Sequence, residues 1–304
     1  MSDRSAITAY MNKLTRSDRV KVLAALVEGC SVASITRMTG VAKRTILNLM
    51  VDLAEVCDAY MNEHLVNLNC RRVQVDEMWS FVGKKNRRAS DEEKACGLGD
   101  AWVWLAIDAD TKLIASYLIG QRTAECAEQF ITDLASRLAN RTQLTSDGLR
   151  LYLDAVEKAF GCEVDFAQLV KNYTGSTDTG PRRYSPGACC GAVKTPVTGA
   201  PDSAHVSTSF SERANLTVRM QNRRFTRLVN SFSKKFDNHA ASTVVHVFWY
   251  NFVRRHMTLR VSPAMEAGIT DHLWGLDEMV ELLEKREASA VVVKPSGLTP
   301  VRRA

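Results

Sequence analysis

The sequence predicts a mixed α/β protein in which an all-α N-terminal segment precedes a mixed β-sheet flanked by helices. Apolar residues recur with helical spacing through residues 17–65. Three strand-like segments then follow one another at residues 71–83, 101–107 and 113–119. After them, helical and strand-like segments alternate to residue 170, which is typical of crossover units that extend a sheet and cover its faces.

Size and composition set the broad class. The chain has 304 residues, of which 45% are hydrophobic, and this length leaves room for about two domains. The net charge of +6 is compatible with a polyanionic partner. We find no apolar run near the roughly 18 residues of a membrane span, and no apolar signal-peptide core at the N-terminus. The eight cysteines form no C-x-x-C pair, so a zinc finger is not expected.

The N-terminal helices contain a possible DNA-binding motif. A short helix ends at Gly40, and a longer helix starts near Ala42 with Lys43, Arg44 and Thr45 in its first turn. A short helix, a glycine-bearing turn and a second helix form the helix-turn-helix pattern, whose second helix enters the major groove. These three first-turn residues are therefore the candidates for base contacts. The alternative is a plain helical bundle, because residues 1–65 carry eight Lys and Arg against seven Asp and Glu.

The order of the later elements predicts a specific core. Three antiparallel strands, a helix over residues 123–140, a strand ending at Asp147, a helix and a fifth strand at residues 162–170 give the order β-β-β-α-β-α-β. This is the order of a ribonuclease H-like core. We therefore predict a helix-turn-helix domain at 1–68, a catalytic domain at 69–260 with a flexible insertion loop at 171–206, and a C-terminal helix and tail at 261–304.

Three acidic residues are the candidate catalytic site. Asp76 lies within the first strand, Asp147 ends the fourth strand, and Glu212 opens a basic helix. Carboxylates that are brought together resist joint ionisation, so such a cluster requires a cation, and Mg²⁺ is the usual partner of carboxylates and phosphates. Two such ions can clamp the attacking and leaving oxygens of a phosphodiester displacement.

Each acid also has an ordinary explanation when it is taken alone. Asp76 could have a buried partner or lie on an exposed face of the sheet. Asp147 before glycine suits a turn, and Glu212 suits the first turn of a helix. Glu77 adjoins Asp76, and neighbouring side chains on a strand point to opposite faces, so we expect only Asp76 to join the site. The conjunction of the three acids favours the catalytic interpretation, because their elements meet at one edge of this fold.

Residues 210–235 read as one basic helix with seven Lys and Arg and a single acid, Glu212. Pairing within the helix cannot neutralise these cations, and a phosphate backbone is the natural counter-charge. The alternative is a solvated helix face. On the DNA-binding interpretation, the cations position phosphates rather than read bases; the candidates are Arg213, Arg219, Arg223 and Arg224.

Several motifs resemble one enzyme family. Residues 76–85 (DEMWSFVGKK), 212–219 (ERANLTVR) and 231–234 (SFSK) are similar to motifs of insertion-sequence-one transposases, which belong to the DDE superfamily with a ribonuclease H-like core. Asp147-Gly148 matches the second acid of that family, and residues 250–256 match a late helix with Tyr-Asn-Phe and His. The resemblance covers residues 70–260.

The resemblance implies a site, cofactors and partners. Asp76, Asp147 and Glu212 would be catalytic ligands of two Mg²⁺ ions. Mn²⁺ would be able to substitute for Mg²⁺. The helix-turn-helix would bind the terminal inverted repeats of a DNA element, and a homodimer or higher oligomer would join two ends to target DNA. The chain departs from the family in its loop at 171–206, which leaves Asp154 and Asp165 as alternatives to Asp147, and in having no N-terminal zinc finger.

These observations predict a Mg²⁺-dependent DNA transposase that cleaves element ends and transfers the freed 3′-OH to target DNA. Two other functions stay open. One is a nuclease or resolvase on the same core that does not transpose, and the other is a DNA-binding regulator with an inactive core. For each of them we expect double-stranded DNA as the partner and a bacterial cytoplasm, in association with the nucleoid, as the location.

Overall fold

The computed structural model describes residues 13–173 and 189–292. Its first three helices are α1 (Arg16–Val27), α2 (Val32–Thr39) and α3 (Lys43–His64). The Ser31 hydroxyl caps α2 by accepting from the Ser34 amide at 3.0 Å, and Gly40 ends that helix in the left-handed conformation at φ +74°. The all-α N-terminal segment is confirmed. Residues 1–12 of the predicted N-terminal domain, 174–188 of the predicted loop and 293–304 of the predicted tail lie outside the described residues.

The sheet has six strands in the order β3-β2-β1-β4-β5-β6. The first three strands are antiparallel neighbours, β4 pairs parallel to both β1 and β5, and β6 returns antiparallel to β5. Strands one to five therefore have the order and directions of a ribonuclease H-like core, and the predicted fold class is confirmed. The strands are β1 (Arg72–Val82), β2 (Gly99–Asp108), β3 (Ile114–Gly120), β4 (Thr142–Ser146), β5 (Val164–Tyr173) and β6 (Cys189–Thr198).

The remaining helices flank this sheet and extend beyond it. They are α4 (Asp91–Ala95), α5 (Ala124–Arg137), α6 (Leu151–Phe160), α7 (Ser209–Gln221), α8 (Phe236–Phe248), α9 (Pro263–Glu266) and α10 (Leu276–Val292). A π-helical turn over Trp249–Val253 follows α8 directly. Among the described helices, none is both long and apolar enough to cross a lipid bilayer.

The prediction of a single basic helix over residues 210–235 is wrong, because α7 ends at Gln221. Asn222 adopts an extended conformation and turns its side chain into the core of the protein. Its amide donates to the Ser242 carbonyl at 2.9 Å, and its side-chain oxygen accepts from the Arg224 amide at 3.3 Å. These contacts replace helical hydrogen bonds, and a short 3₁₀ turn over Arg223–Phe225 follows.

The prediction of a flexible loop at 171–206 is also wrong for part of this range, because the end of β5 and all of β6 lie within it. The side chains of β6 are exposed along almost the whole strand. Because neither face of the strand is buried, its sequence lacks the alternation of apolar and polar residues by which a strand is predicted. Backbone pairing with β5 holds it instead. Pro196 falls at an irregularity of the register, on an edge strand, where a missing N–H is tolerated.

One hydrophobic core runs through the N-terminal helices and the sheet domain. At the junction of α3 with α8, the ring of Tyr60 lies 5.7 Å from that of Phe248 and 5.5 Å from that of Phe252. Trp274 closes this aromatic cluster, with its ring 5.0 Å from Tyr60. The predicted domain boundary between residues 68 and 69 therefore does not divide the core.

Polar contacts bind α10 to the N-terminal helices. The side chain of Arg19 is 8% exposed and donates to Glu287 at 3.1 Å, and Arg286 forms an ion pair with Glu55. One helical turn further along α3, the Tyr117 hydroxyl of β3 donates to Asp58. The N-terminal helices thus contact both the sheet domain and the C-terminal helix.

This shared core predicts cooperative unfolding. Phe248→Ala should reduce the free energy of unfolding by about 3–5 kcal/mol, because it removes a fully buried ring at the α3–α8 contact. Urea unfolding followed by circular dichroism and by tryptophan fluorescence should give coincident transitions for both the wild type and the variant. Met38→Ala, on an exposed side chain, is the control and should stay within about 0.5 kcal/mol of wild type. Separate transitions for the helical signal and the sheet tryptophans would contradict a shared core.

Candidate metal centre

Two central strands bring Asp76 and Asp147 to the same place. In the parallel pairing of β1 with β4, Gln74 lies opposite Thr145. The same register continued by two residues places Asp147, just beyond the end of β4, beside Asp76. The Asp147 carboxylate accepts from the Leu149 amide at 2.9 Å, which fixes the turn that follows the strand.

Gly148 allows this turn to lie close to the next strand. A Cβ at this position would come within 2.9 Å of the Val170 side chain on β5. The glycine of the Asp-Gly pair therefore has a steric role, because any larger residue would push the turn, and with it Asp147, away from β5.

Asp76 and Glu77 point to opposite faces of the sheet, as their adjacency predicts. Asp76 accepts from the Asn215 side chain of α7 at 2.8 Å. The Glu77 carboxylate accepts from Arg122 at 2.9 Å and from the Tyr152 hydroxyl of α6 at 3.1 Å. The side chain of Glu77 is 2% exposed. The Arg122 guanidinium therefore balances its charge, and the Tyr152 hydroxyl donates in place of water.

The expectation that only one of this pair would join the acidic site is nevertheless wrong. One carboxylate oxygen from each of Asp76, Glu77 and Asp147 lies within 4.8 Å of the other two. Asp147 follows the end of its strand, where the sheet no longer separates the two faces, so its side chain approaches both neighbours. Oxygen ligands at this spacing fit a hard divalent cation such as Mg²⁺ or Mn²⁺.

The electrostatics of Asp76 fit the same interpretation. Burial raises the pKa of Asp76 from 3.8 to about 7, and the nearby charges of Glu77, Asp147 and Glu212 add to this effect. Burial also raises the pKa of Glu77, against the opposing influence of Arg122. Without a cation, the native structure therefore disfavours full ionisation of its own acids, and a divalent ion would relieve that repulsion.

Glu212 lies near the three acids but outside their group. It lies in the first turn of α7, where its carboxylate accepts from the Thr208 hydroxyl at 2.8 Å and forms an ion pair with Lys171 of β5. Its charge still contributes to the raised pKa of Asp76. Its side chain is 49% exposed, so a partner in solution can reach this carboxylate.

The two alternatives to Asp147 have other surroundings. Asp154 is exposed in the first turn of α6. Asp165 forms an ion pair with Arg141 at 2.7 Å and accepts from the Ala200 amide at 2.9 Å, and Arg141 lowers its pKa. Among the acids of the described ranges, neither joins the group around Asp76, which leaves Asp147 as the candidate.

The predicted phosphate-contacting arginines divide into two kinds. Arg213 is exposed on α7, and Arg219 is half-buried near Asp76, whose charge acts on it. Arg224 instead points inward: it donates to the Ser233 hydroxyl at 3.0 Å and approaches the Met50 sulfur at 3.6 Å, and burial lowers its pKa to about 10. Arg224 therefore connects α3 to the segment after α7, and Arg223 lies partly exposed beside it.

The candidate base-reading residues lie at the surface. Lys43 and Arg44 are exposed in the first turn of α3, and Thr45 is half-buried. Ala42 gives this helix no side-chain cap. These positions leave the start of α3 open to a partner.

Four residues that were not predicted as part of the site also shape the cluster: Glu77, Arg122, Asn215 and Tyr152. Asn215 follows Glu212 by three residues, so helical periodicity places both on one face of α7 and could have identified it. Arg122 and Tyr152 reach Glu77 only through the packing of α6 and of the β3–α5 connection on the sheet. No local sequence pattern signals those two contacts.

Removing the Asp76 charge should stabilise the metal-free protein. The pKa of Asp76 is about 7 in the folded protein and 3.8 in the unfolded chain. The free energy of unfolding therefore falls as pH rises from about 4 to about 7, and above pH 7 the full destabilisation by the ionised carboxylate is present. Asp76→Asn should therefore be more stable than wild type by roughly 1–3 kcal/mol at pH 8 and by much less at pH 4.

Thermal unfolding at both pH values, with and without Mg²⁺, tests this prediction. Mg²⁺ should raise the Tm of the wild type but not that of Asp76→Asn. Asp91→Asn, on a side chain that is 98% exposed, is the control. A variant no more stable than wild type at pH 8 would show that the buried charge carries no penalty.

Comparison with known proteins gives only distant matches. No protein-family model and no curated protein sequence matches the chain. Among solved structures, a piggyBac transposase synaptic complex with hairpin DNA aligns over 98% of this chain and 77% of its own, at 10% identity and a TM-score of 0.38. A pre-cleavage Mos1 transpososome aligns over 81% and 80% of the two chains, at 10% identity and a TM-score of 0.25. The Mos1 mariner paired-end complex with Mn gives 82% and 80%, at 12% identity and a TM-score of 0.25. At these scores the matches carry no inference about function.

Proposed function

We propose that this chain is a metal-dependent DDE transposase of the insertion-sequence-one type, which binds the terminal inverted repeats of a DNA element, cleaves there and transfers the strand. The observation that carries the proposal is the convergence of Asp76 and Glu77, in the middle of β1, with Asp147, just past the end of β4, within 4.8 Å. Glu212 on α7 adds a fourth carboxylate beside them. Acids on this core would hold divalent ions, and the cationic side chains of α7 would contact phosphates. Both functions are needed for cleavage of a phosphodiester bond.

The four acids have different roles in this proposal. Asp76, Asp147 and Glu212 hold the ions, Mg²⁺ with Mn²⁺ as a substitute, as the resemblance to insertion-sequence-one transposases implies. Glu77 positions the cluster, since Arg122 and Tyr152 already hold its two oxygens. Divalent ions bound there would polarise the phosphodiester and the attacking oxygen. Asn215 keeps the Asp76 carboxylate oriented by donating to it at 2.8 Å.

The ion pair of Glu212 with Lys171 suggests how the site is completed. Lys171 donates to the carboxylate that we assign to a metal ion. Metal binding would take over that carboxylate, and Lys171 would then be free to contact a phosphate of the DNA strand. The lysine thus keeps the third ligand in place in the metal-free protein.

DNA would contact two surfaces of the chain. The first turn of α3 offers Lys43, Arg44 and Thr45 to base edges, and α7 offers Arg213 and Arg219 to phosphates. Because two element ends must be joined, we propose that a homodimer or higher oligomer assembles on the DNA. As an enzyme of a bacterial insertion sequence, it would act on DNA in the cytoplasm.

Replacing an acidic ligand should abolish cleavage while DNA binding is retained. We expect Asp76→Ala and Glu212→Gln to lose at least about 100-fold in the rate of end nicking, since each removes metal-held charge stabilisation. The assay incubates the protein with its element's flanking segments and a supercoiled target in Mg²⁺, and scores nicking and strand transfer. Asp91→Asn, at a distant exposed acid, is the matched control and should cleave like wild type.

The outcomes separate the three functions. End-specific nicking and transfer by wild type and Asp91→Asn alone would support the transposase. Cutting that ignores the ends would support the nuclease or resolvase, and end binding without cutting in Mg²⁺ or Mn²⁺ would support the regulator. Full activity of Asp76→Ala would refute the site assignment.

The two DNA-contacting surfaces should respond differently to mutation. Arg44→Ala should weaken binding to element ends by about 1–3 kcal/mol and reduce the preference for ends over random DNA. Arg213→Ala should weaken binding to both DNAs equally and lower the slope of log K against log salt by about 1. Fluorescence anisotropy at several salt concentrations measures both, with Lys21→Gln on α1 as the control. The assignment fails if Arg44→Ala affects all DNAs equally.

A further inference from the structure

A cavity of about 500 Å³ lies where the N-terminal helices meet the end of α7 and the face of α8. It is a separate place from the acidic cluster, and α7 connects the two. Asn215 of α7 contacts Asp76, and Gln221, six residues further along, lines the cavity. That separation is about 9 Å along the helix axis. The volume falls within the roughly 300–1,000 Å³ range of small-ligand sites.

Much of the cavity wall is apolar. Leu26 and Val27 of α1, Leu47 of α3 and Val245 of α8 line it, and the ring of Phe232 adds an aromatic surface. Phe232 is held by Phe81 of β1, whose ring centre lies 4.9 Å away. A fixed aromatic ring beside aliphatic walls suits a flat heterocycle, which can stack on one and pack against the other.

The charged groups around the cavity all have the same sign. Four cationic side chains line it, and no Asp or Glu occurs among the described residues of its lining. Lys43, Arg223 and Lys234 form no ion pair with any carboxylate in the described ranges. Arg224, the fourth, donates to Ser233 and Met50 instead. Unpaired cations gathered at one cavity favour an anionic ligand, and the guanidinium group suits phosphate in particular.

Two buried polar groups of the lining have no partner in the protein. His246 is 3% exposed, yet neither of its ring nitrogens makes a hydrogen bond, and the side-chain oxygen of Gln221 is likewise unpartnered. Burial lowers the pKa of His246 to about 3, so its ring is neutral and offers one donor and one acceptor. Such unpaired buried groups are rare because each costs about 1–3 kcal/mol. These atoms are buried behind the cavity surface, so a side-chain rotation on binding would present one donor and two acceptors to the polar edge of a nucleobase.

We propose that this cavity binds a single nucleotide, with the base stacked on Phe232, its polar edge on His246 and Gln221, and its phosphate on Lys43 and Arg223. The nucleotide is either a free mononucleotide or one turned out of a DNA strand that lies between α3 and α7. The inference goes beyond the proposed function, because nucleotide binding here needs neither the acids nor cleavage.

Calorimetric titration of the full chain with dAMP, dGMP, dCMP and dTMP tests the site directly. We expect at least one nucleotide to bind, and its nucleoside and inorganic phosphate to bind about tenfold more weakly or not at all, since each lacks half of the contacts. Leu47→Trp should abolish binding by filling the cavity, and Arg223→Gln should weaken the nucleotide but not the nucleoside. Lys21→Gln, on the exposed side of α1, should bind like wild type.

Circular dichroism checks the fold of each variant. If Leu47→Trp does not fold, Arg223→Gln and His246→Leu decide the result, because they remove contacts to different parts of the ligand. Binding of inorganic phosphate as tight as that of the nucleotides would overturn the proposal, as would equal nucleotide binding by wild type, Arg223→Gln and His246→Leu.

A second measurement distinguishes the two sources of the nucleotide. Asp76→Ala protein, which should not cut, is titrated with a duplex carrying one unpaired 2-aminopurine and with the fully paired duplex. A preference of about fivefold for the unpaired base that disappears in the Asp76→Ala/Arg223→Gln double variant would identify a nucleotide in a strand. Binding of mononucleotides without that preference would identify a free ligand. Absence of both would overturn the site, whereas end cleavage by wild type would be unaffected and would still support the transposase.

Discussion

Repulsion between buried carboxylates is the constraint on which this structure depends. Asp76 and Glu77 of β1 lie within 4.8 Å of Asp147, which follows the end of β4, and burial with mutual repulsion raises the pKa of Asp76 to about 7. A fold gains nothing in stability from such a group, because pairing or neutralising the acids would cost less. The arrangement makes physical sense as a site for divalent cations, which convert the repulsion into binding energy.

The surrounding elements hold the acids in place against that repulsion. The sheet fixes Asp76 and Glu77 through the pairing of β1 with β2. Tyr152 of α6 donates to Glu77 on one face of the sheet, and Asn215 of α7 donates to Asp76 on the other. Gly148 lets the turn that carries Asp147 lie against β5. Each of these contacts joins elements that are far apart in the chain, so the site is only as rigid as the common hydrophobic core beneath it.

The same core joins the candidate DNA-reading helices to the sheet domain. Helix α3 packs its apolar face on α8, and Arg224 extends from the segment after α7 to Met50 of α3. A helix-turn-helix on a flexible linker could sample many orientations, whereas helices that share a core with the sheet present α3 at a fixed position relative to the acids. In the proposed transposase, recognition of an end would then place the scissile phosphate by geometry, and the nucleotide cavity lies between the two.

The sequence by itself determined the order of the elements, the mixed sheet and the strand or helix that carries each acid, because apolar periodicity and turn residues are local signals. It could not predict β6, which is held by backbone pairing without apolar alternation, or the end of α7 at Gln221, which depends on the contact of Asn222 with Ser242. It also placed Glu77 outside the site, since alternation along a strand is a local rule. Only the tertiary structure decided that Asp147, just past the end of its strand, approaches the carboxylates on both faces, because distances between separate elements depend on packing and not on spacing along the chain.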